Sequence, residues 1–226
     1  MALLTRRVEK PPQVLRHPQR GRSPPRAGEA IVRLEKLIAG IASPAPAPAS
    51  GSATAAVVAA AAALLQKVTR LSGKQWPEAA EMHGRAERLR LQSEELIEQD
   101  SLAYLDFVEA VRSGHGVAGA QARTIQIPLE IARAAAEVAE LAEQSASLGN
   151  PKLRADAVVA AMLASAAAEA AAYLVGVNVG KTADVRVAEA RRLATEARAR
   201  LRPPGARGSA GGPGRGRARP ADSRRR

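Results

Sequence analysis

The chain has 226 residues, a formal net charge of +12 and no cysteine. This length suits one domain of good size, and the absence of cysteine excludes a disulfide scaffold and a cysteine-ligated metal site. The three histidines, His17, His83 and His115, are scattered along the chain. A histidine metal site is therefore not expected either, and the sequence predicts no metal.

The positive charge is concentrated at the two ends of the chain. Residues 1–26 carry seven Arg or Lys and one Glu, and residues 202–226 carry eight Arg and one Asp. The remaining residues, 27–201, have a net charge of −1. A nucleic-acid-binding domain carries its positive charge on the folded surface. No specific nucleic-acid partner is therefore expected.

The sequence between the ends predicts an all-α fold, a bundle of about six helices. Residues 1–27 and 202–226, rich in proline, glycine and arginine, are predicted to be disordered basic tails. One helical domain remains over residues 28–201. Apolar residues at helical spacing predict helices over 29–41, 52–71, 77–111, 118–147, 152–177 and 183–201. The fourth helix is expected to break or kink at Pro128, and no stretch has the alternation of a strand.

Alanine dominates the predicted helices. It favours the helix but buries little area per residue, so one chain alone is short of buried surface and a homodimer is expected. A GC-rich genome also favours alanine and arginine codons, and the two explanations carry comparable weight.

No segment is expected to cross a membrane. The apolar run over residues 53–65 is short for a span, and the second apolar run contains Asp156 and Glu169, whose burial in lipid is costly. The N-terminus is basic but has no apolar segment before a cleavage site, unlike a secretory signal. A cytoplasmic location is the resulting expectation.

The loop before the second helix is the first candidate binding site. Pro46 and Pro48 prevent helix, the small triplet 49–51 follows, and Ser52 stands where a helix N-cap would stand. Such a loop can present backbone N–H groups and a helix N-terminus to an anionic or electron-rich ligand. Ordinary linkers have the same composition.

Two acidic residues are candidates for proton transfer or ligand binding. Asp100 shares a helix face with Tyr104, four residues on; the pair can position water, or it can be a solvated acid beside a packed ring. Asp156 lies one turn into an apolar helix, where an acid is costly unless it is paired or used. The alternative for Asp156 is an acid that favours the helix dipole.

Two further polar residues are weaker candidates. Lys74 follows Gly73 in a loop and can meet an anionic group of a ligand, although most loop lysines have no specific role. Asn178 ends an apolar helix, where it can donate a hydrogen bond to a ligand or form a C-cap.

Six short motifs, in order and at similar spacing, resemble those of the formimidoyltetrahydrofolate cyclodeaminase / methenyltetrahydrofolate cyclohydrolase family. They are the loop at 46–52, similar to P-x-P-G-G-G-S, then Gly73-Lys74, and the segments 98–104, 127–129, 149–157 and 177–179. The resemblance covers residues from about 30 to 201. There are two departures: Ala49 and Ser50 stand in place of two glycines, and Ala155 in place of the usual serine.

The resemblance implies an enzyme that opens or closes the one-carbon bridge of tetrahydrofolate, as a cyclohydrolase or a cyclodeaminase. It implies no cofactor beyond the tetrahydrofolate substrate, folate (possibly polyglutamylated) as partner, and a cleft at or near a homodimer interface. The implied catalytic residues are Asp100, Asp156 and Lys74, and the implied substrate-binding residues are Ser50, Gly51, Ser52, Tyr104 and Asn178. The alternative is a catalytically weakened member that binds folate or acts as a helical interaction protein.

Overall fold

The structure of the chain, a computed structural model, describes residues 27–180 and 183–201. The tails predicted over 1–27 and 202–226 lie outside the described residues, except for Ala27, which begins the first helix. Two compact units divide the chain, residues 1–36 and residues 37–226. All the candidate site residues belong to the second unit.

The described residues form six α-helices and one short 3-10 helix, and they contain no strand. This confirms the predicted all-α fold of about six helices. The helices are α1 (Ala27–Ile41), α2 (Ser50–Arg70), α3 (Ala79–Ser113), α4 (Val117–Leu148), α5 (Arg154–Val179) and α6 (Val185–Ala199), with the 3-10 helix at Pro151–Leu153.

Helices α2 to α5 form a four-helix bundle, and α6 packs against α4 and α5. The ion pairs of Arg123 with Asp106 and of Arg85 with Glu137, at 2.8 and 3.1 Å, show that α3 and α4 run antiparallel. The short connections from α2 to α3 and from α4 to α5 make these pairs antiparallel as well. Helices α2 and α4 therefore run in one direction, and α3 and α5 in the other.

Alanine supplies more than half of the buried apolar side chains in the described residues. Leu65, Leu129, Ile131 and Leu141 are fully buried and provide bulk. Because alanine is short, the helix axes approach closely, and small polar residues such as Ser52 are buried at the contacts. This close approach positions the candidate site.

Two helical segments, Ser50–Arg70 and Pro151–Val179, are long and apolar enough to cross a membrane by length and composition alone. About half of the most apolar window of each is buried inside the bundle, 56% and 50% respectively. Core helices of soluble proteins pass the same test, so it is weak evidence for a span. The absence of a membrane segment stays a prediction.

Pro128 lies inside α4, which continues unbroken from Val117 to Leu148. Of the predicted break or kink at this residue, the break is therefore wrong, and the kink stays a prediction. Proline has no N–H, so the carbonyl of Thr124, four residues earlier, lacks its helical donor. The side chain of Asn178 on α5 supplies the missing donor, with Nδ2 at 2.6 Å from the Thr124 oxygen. Gln121 in turn donates from Nε2 to the Asn178 carbonyl at 3.3 Å.

This arrangement predicts that the energetic effects of Asn178 and Pro128 are coupled. Asn178→Ala leaves the Thr124 carbonyl without a donor, and we expect it to lower the free energy of unfolding by about 1–3 kcal/mol. In a Pro128→Ala background, residue 128 regains its N–H, and the same change at Asn178 should have a clearly smaller effect. Urea unfolding of the four proteins of this double-mutant cycle measures the coupling; additive effects would contradict it.

Candidate functional site

A buried polar cluster lies where the start of α2 packs against the middle of α3. Ser52 is fully buried, and its Oγ lies 2.9 Å from Asp100 Oδ2. The same Oγ lies 3.1 Å from the Ile97 carbonyl and 3.0 Å from Ser101 Oγ. We call Ser52, Ile97, Asp100 and Ser101 the Ser52–Asp100 cluster.

The pKa of the Asp100 carboxyl is raised above its ordinary value of 3.8. Burial is the main cause, because it penalises the charged form. Hydrogen bonds from the Ser52 hydroxyl and the Ser52 backbone N–H lower the pKa but do not outweigh burial. Asp100 is only partly buried, so its carboxyl combines a raised pKa with access to the surface.

The Ser52 hydroxyl and the Asp100 carboxyl have hydrogen-bond partners in both protonation states of Asp100. When the carboxylate is ionised, the Ser52 hydroxyl donates to it. When the carboxyl is protonated, its O–H can donate to Ser52 Oγ, and the Ser52 hydroxyl can turn to the Ile97 carbonyl at 3.1 Å. Since neither state leaves a buried hydroxyl unpaired, Asp100 can gain and lose a proton without disturbing the helix contact.

Gly51 makes room for the Asp100 carboxylate. A Cβ at residue 51 would lie 2.7 Å from Asp100 Oδ2 and still closer to Oδ1 and the carboxyl carbon. The carboxylate therefore packs against the backbone at the start of α2, which only glycine permits.

The start of α2 differs from its predicted form. Ser52 is not the N-cap: the helix begins at Ser50, and Ala49 occupies the N-cap without a side-chain hydrogen bond. The Ser52 N–H, expected to face a ligand, donates to the chain's own Asp100. Ser50 is exposed, and its carbonyl accepts a hydrogen bond from Thr54 Oγ1 at 2.7 Å.

Tyr104 lies one turn beyond Asp100 on α3, and 44% of it is exposed. Val108 and Val111 continue this face of α3, with 42% and 55% exposed. An apolar surface thus extends along α3 from the Asp100 carboxyl, and Asp100 and Tyr104 lie one turn apart on this helix, as their spacing predicts.

Asp156 lies at the other end of α2. Its Oδ2 pairs with Lys67 Nζ at 2.9 Å, and the side chains of Asp156 and Lys67 are 30% and 55% exposed. Ser52 and Lys67 are about four turns apart on one helix, a separation of about 22 Å. Lys74 follows the end of α2, in a turn, and is exposed. One chain therefore does not bring Asp156 and Lys74 together with Asp100.

The Gly149-Asn150 motif has a structural explanation. The backbone N–H of Asn150 donates to Ser72 Oγ at 2.8 Å, and its side-chain Nδ2 donates to the Leu71 carbonyl at 3.2 Å. A Cβ at Gly149 would contact Ser72 Oγ at 3.1 Å and, more closely, the Ser145 carbonyl. These contacts hold the start of α5 against the end of α2.

Asn178 also has a structural explanation, because its side-chain donor is used on the Thr124 carbonyl. Sequence reasoning missed the parts of the cluster contributed by Ser101 and by the Ile97 carbonyl. A serine next to a candidate acid is a signal for Ser101, but no local pattern indicates that residues 52 and 100 meet. Within the described residues, no group of three or more His, Asp or Glu side chains is placed to hold a metal ion.

Comparison with known proteins identifies the family. Residues 33–197 match the family model described as formiminotransferase-cyclodeaminase, and the chain belongs to this family. Solved structures include a similar chain, formiminotetrahydrofolate cyclodeaminase from Thermotoga maritima, with a TM-score of 0.66 and 22% sequence identity. The match covers 74% of this chain and 94% of that chain. At this identity the structural likeness shows the fold alone. No curated protein sequence matches the chain significantly.

The packing of Gly51 predicts the effect of adding one methyl group. Gly51→Ala should push the Asp100 carboxylate away from Ser52 toward solvent, so the pKa of Asp100 should fall toward 3.8. The carboxyl carbon shift of Asp100, followed by NMR across a pH titration, measures this. Gly176→Ala is the matched control, because a Cβ there contacts nothing; it should leave the Asp100 pKa unchanged. A raised pKa that persists in Gly51→Ala would contradict the assigned contact.

Proposed function

We propose that the chain acts on the one-carbon bridge of tetrahydrofolate, with Asp100 as its acid–base group. The observation that carries this proposal is the Asp100 carboxyl: partly buried, raised in pKa and able to exchange a proton with its surroundings while the Ser52–Asp100 cluster stays paired. A carboxyl with a raised pKa and access to the surface suits general acid–base catalysis. Membership of the family supplies the substrate class.

Both reactions of this kind pass through a tetrahedral carbon between two nitrogens. The cyclohydrolase reaction adds water to the methenyl bridge, and the cyclodeaminase reaction closes the formimino group and releases ammonia. Each needs a proton moved to or from the reacting atoms, and the ionised Asp100 carboxylate is placed to accept one. We assign to Tyr104 and the exposed apolar face beyond it the packing of the flat part of the folate. No cofactor beyond the substrate enters this proposal.

This proposal predicts a large catalytic effect at Asp100. Asp100→Asn keeps the shape of the side chain but removes its proton affinity, so turnover of methenyl- or formiminotetrahydrofolate should fall by about 10²–10⁴-fold. Turnover by the wild type should rise with pH through the raised pKa, since the ionised form accepts the proton. The acidic limb of the rate profile should therefore lie above the ordinary value of 3.8.

Asp106→Asn is the matched control for this variant. Asp106 lies on the same helix but is exposed and paired with Arg123 at 2.8 Å, so its loss should leave turnover near the wild-type level. Circular dichroism of both variants checks that the fold is kept. Equal turnover in Asp100→Asn and the wild type would sink the assignment of the base.

We further propose that a second copy of the chain completes the site. The outer faces of α2 and of the first half of α5 are apolar: Ala60 and Ala63 are exposed on α2, and 46% of Val159 and 55% of Met162 are exposed on α5. These two neighbouring helices form one continuous apolar face, and surfaces of this kind mark interfaces. The exposed residues in the middle of α2, Ala60 and Ala63, are small, which favours close packing of a partner helix.

The geometry of α2 suggests how the partner contributes. Ala60 lies about midway between Ser52 and Lys67. Lys67 lies near the end of α2, and Asp156 and Lys74 lie next to that end. In a two-fold dimer whose α2 helices cross antiparallel near Ala60, this group in one copy lies beside the Ser52–Asp100 cluster of the other. The two groups, about 22 Å apart in one chain, then meet across the interface. Lys74 would face the glutamate part of the folate, which accommodates a polyglutamylated form.

Subunit complementation tests this arrangement. Asp100→Asn and Asp156→Asn homodimers should both be nearly inactive, whereas an equal mixture, unfolded and refolded together, should recover about a quarter of wild-type turnover. Random pairing makes about half of the dimers mixed, and each mixed dimer has one of its two sites intact. No recovery, in dimers shown to be mixed because a tagged copy of one variant co-purifies the untagged other, would contradict a site shared between two chains.

The second candidate is a weakened family member that binds folate or a partner helix without turnover. Ala49 and Ser50 replace two glycines of the family loop, and the Ser52 N–H is already used by Asp100; both observations favour it. Thermal stabilisation by folate without turnover would select this reading. A cytoplasmic location remains part of the proposal in either case.

A further inference from the structure

A groove of about 780 Å³ lies between the second half of α5 and α6. Small residues, Ala172, Gly176 and Ala194, line it together with the larger side chains of Tyr173, Arg191 and Arg198. Its volume falls within the range of about 300–1,000 Å³ typical of small-molecule sites. None of its lining residues comes from α2 or α3, so it is separate from the Ser52–Asp100 cluster.

Tyr173 gives the groove an aromatic wall. It stands on a helix made almost entirely of alanine and valine at this level, and 71% of it is exposed. An exposed aromatic ring beside a floor of small residues offers a flat apolar surface to another ring.

The groove carries an unneutralised positive charge. Arg198 Nη1 lies 3.4 Å from Glu169 Oε1, a long and exposed pair. Arg191 forms no ion pair within the described part of the chain, and it lies on the same face of α6, two turns before Arg198. The charges of Arg198 and Glu169 cancel, so the guanidinium of Arg191 remains available to bind an anion.

Gly176 exposes its backbone to the same groove. Glycine inside a helix is less stable than alanine by about 1 kcal/mol, and a Cβ at residue 176 would contact nothing within the chain. The packing of this chain therefore does not require a glycine here. Its effect is to open the floor of the groove beside Tyr173.

We propose that this groove binds a small aromatic carboxylate. The ring lies against Tyr173 and over the floor formed by Ala172 and Gly176, and the carboxylate accepts hydrogen bonds from Arg191. The hydroxyl of Thr195, which also lines the groove, flanks the same end. The proposal does not depend on the folate chemistry proposed above, because it rests on the second half of α5 and on α6 and concerns a different ligand.

Titration calorimetry of the full chain with naphthoate tests the proposal. Saturable binding is expected for naphthoate, and much weaker binding for naphthalenemethanol, which lacks the charge, and for acetate, which lacks the ring. No saturable heat with naphthoate at millimolar concentration would overturn the site. Equal affinity for naphthoate and naphthalenemethanol would overturn the role given to Arg191.

Matched variants separate the groove from the rest of the surface. Arg191→Gln should weaken binding by about tenfold or more, since a charged hydrogen bond is lost, whereas Arg192→Gln on the same helix, where the arginine pairs with Glu196, should not. Gly176→Leu should abolish binding by filling the floor. Tyr173→Leu should weaken binding, because the aromatic wall of the groove is lost.

Folding and assembly are checked with the same proteins. Circular dichroism and sedimentation of Gly176→Leu should match the wild type, because a Cβ at residue 176 contacts nothing in the chain and the rest of the side chain extends into the open groove. A change in sedimenting mass would show that a second copy covers the groove and would overturn the proposal. Unchanged naphthoate binding in both Arg191→Gln and Gly176→Leu would overturn it as well.

Discussion

Close approach of the helix backbones is the constraint on which the rest of this structure depends. Alanine at most buried positions brings α2 near enough to α3 for a backbone segment at Gly51 to touch a carboxylate at Asp100. With larger side chains between the helices, the Ser52 hydroxyl could not reach Asp100, and the acid would lie in solvent with an ordinary pKa. The raised pKa of Asp100 therefore depends on the alanine-rich composition of the core.

The same constraint explains which parts of the molecule the sequence predicts. Helical spacing and breakers such as Pro46 and Gly114 act locally, and they predicted the number and order of the helices. A family resemblance, and not a local pattern, grouped Ser50, Gly51 and Ser52 with Asp100, and the structure brings Gly51 and Ser52 against the Asp100 carboxylate. The contact itself joins residues 48 apart, and no period or motif encodes that distance.

The features that the sequence did not predict are hydrogen bonds and ion pairs between residues far apart in the chain. Pro128 indicated a break, but the amide of Asn178 supplies the hydrogen bond that the proline removes, so α4 continues. Asp156 was expected to be either paired or used, but the sequence did not indicate that its partner is Lys67. In both cases a polar partner from a distant part of the chain decides the outcome, and its identity depends on the packing of helices that are far apart in sequence.

The two ends of α5 are held by different neighbours. At its start, Asn150 bonds to Ser72 and Leu71 beyond the end of α2; at its end, Asn178 bonds to the Thr124 carbonyl of α4. A helix fixed at both ends resists sliding and rotation about its axis, so its outer face keeps a constant register. A structural change that accompanies binding on either side of α5 is therefore expected in the helices around it, while α5 remains the common reference for both surfaces.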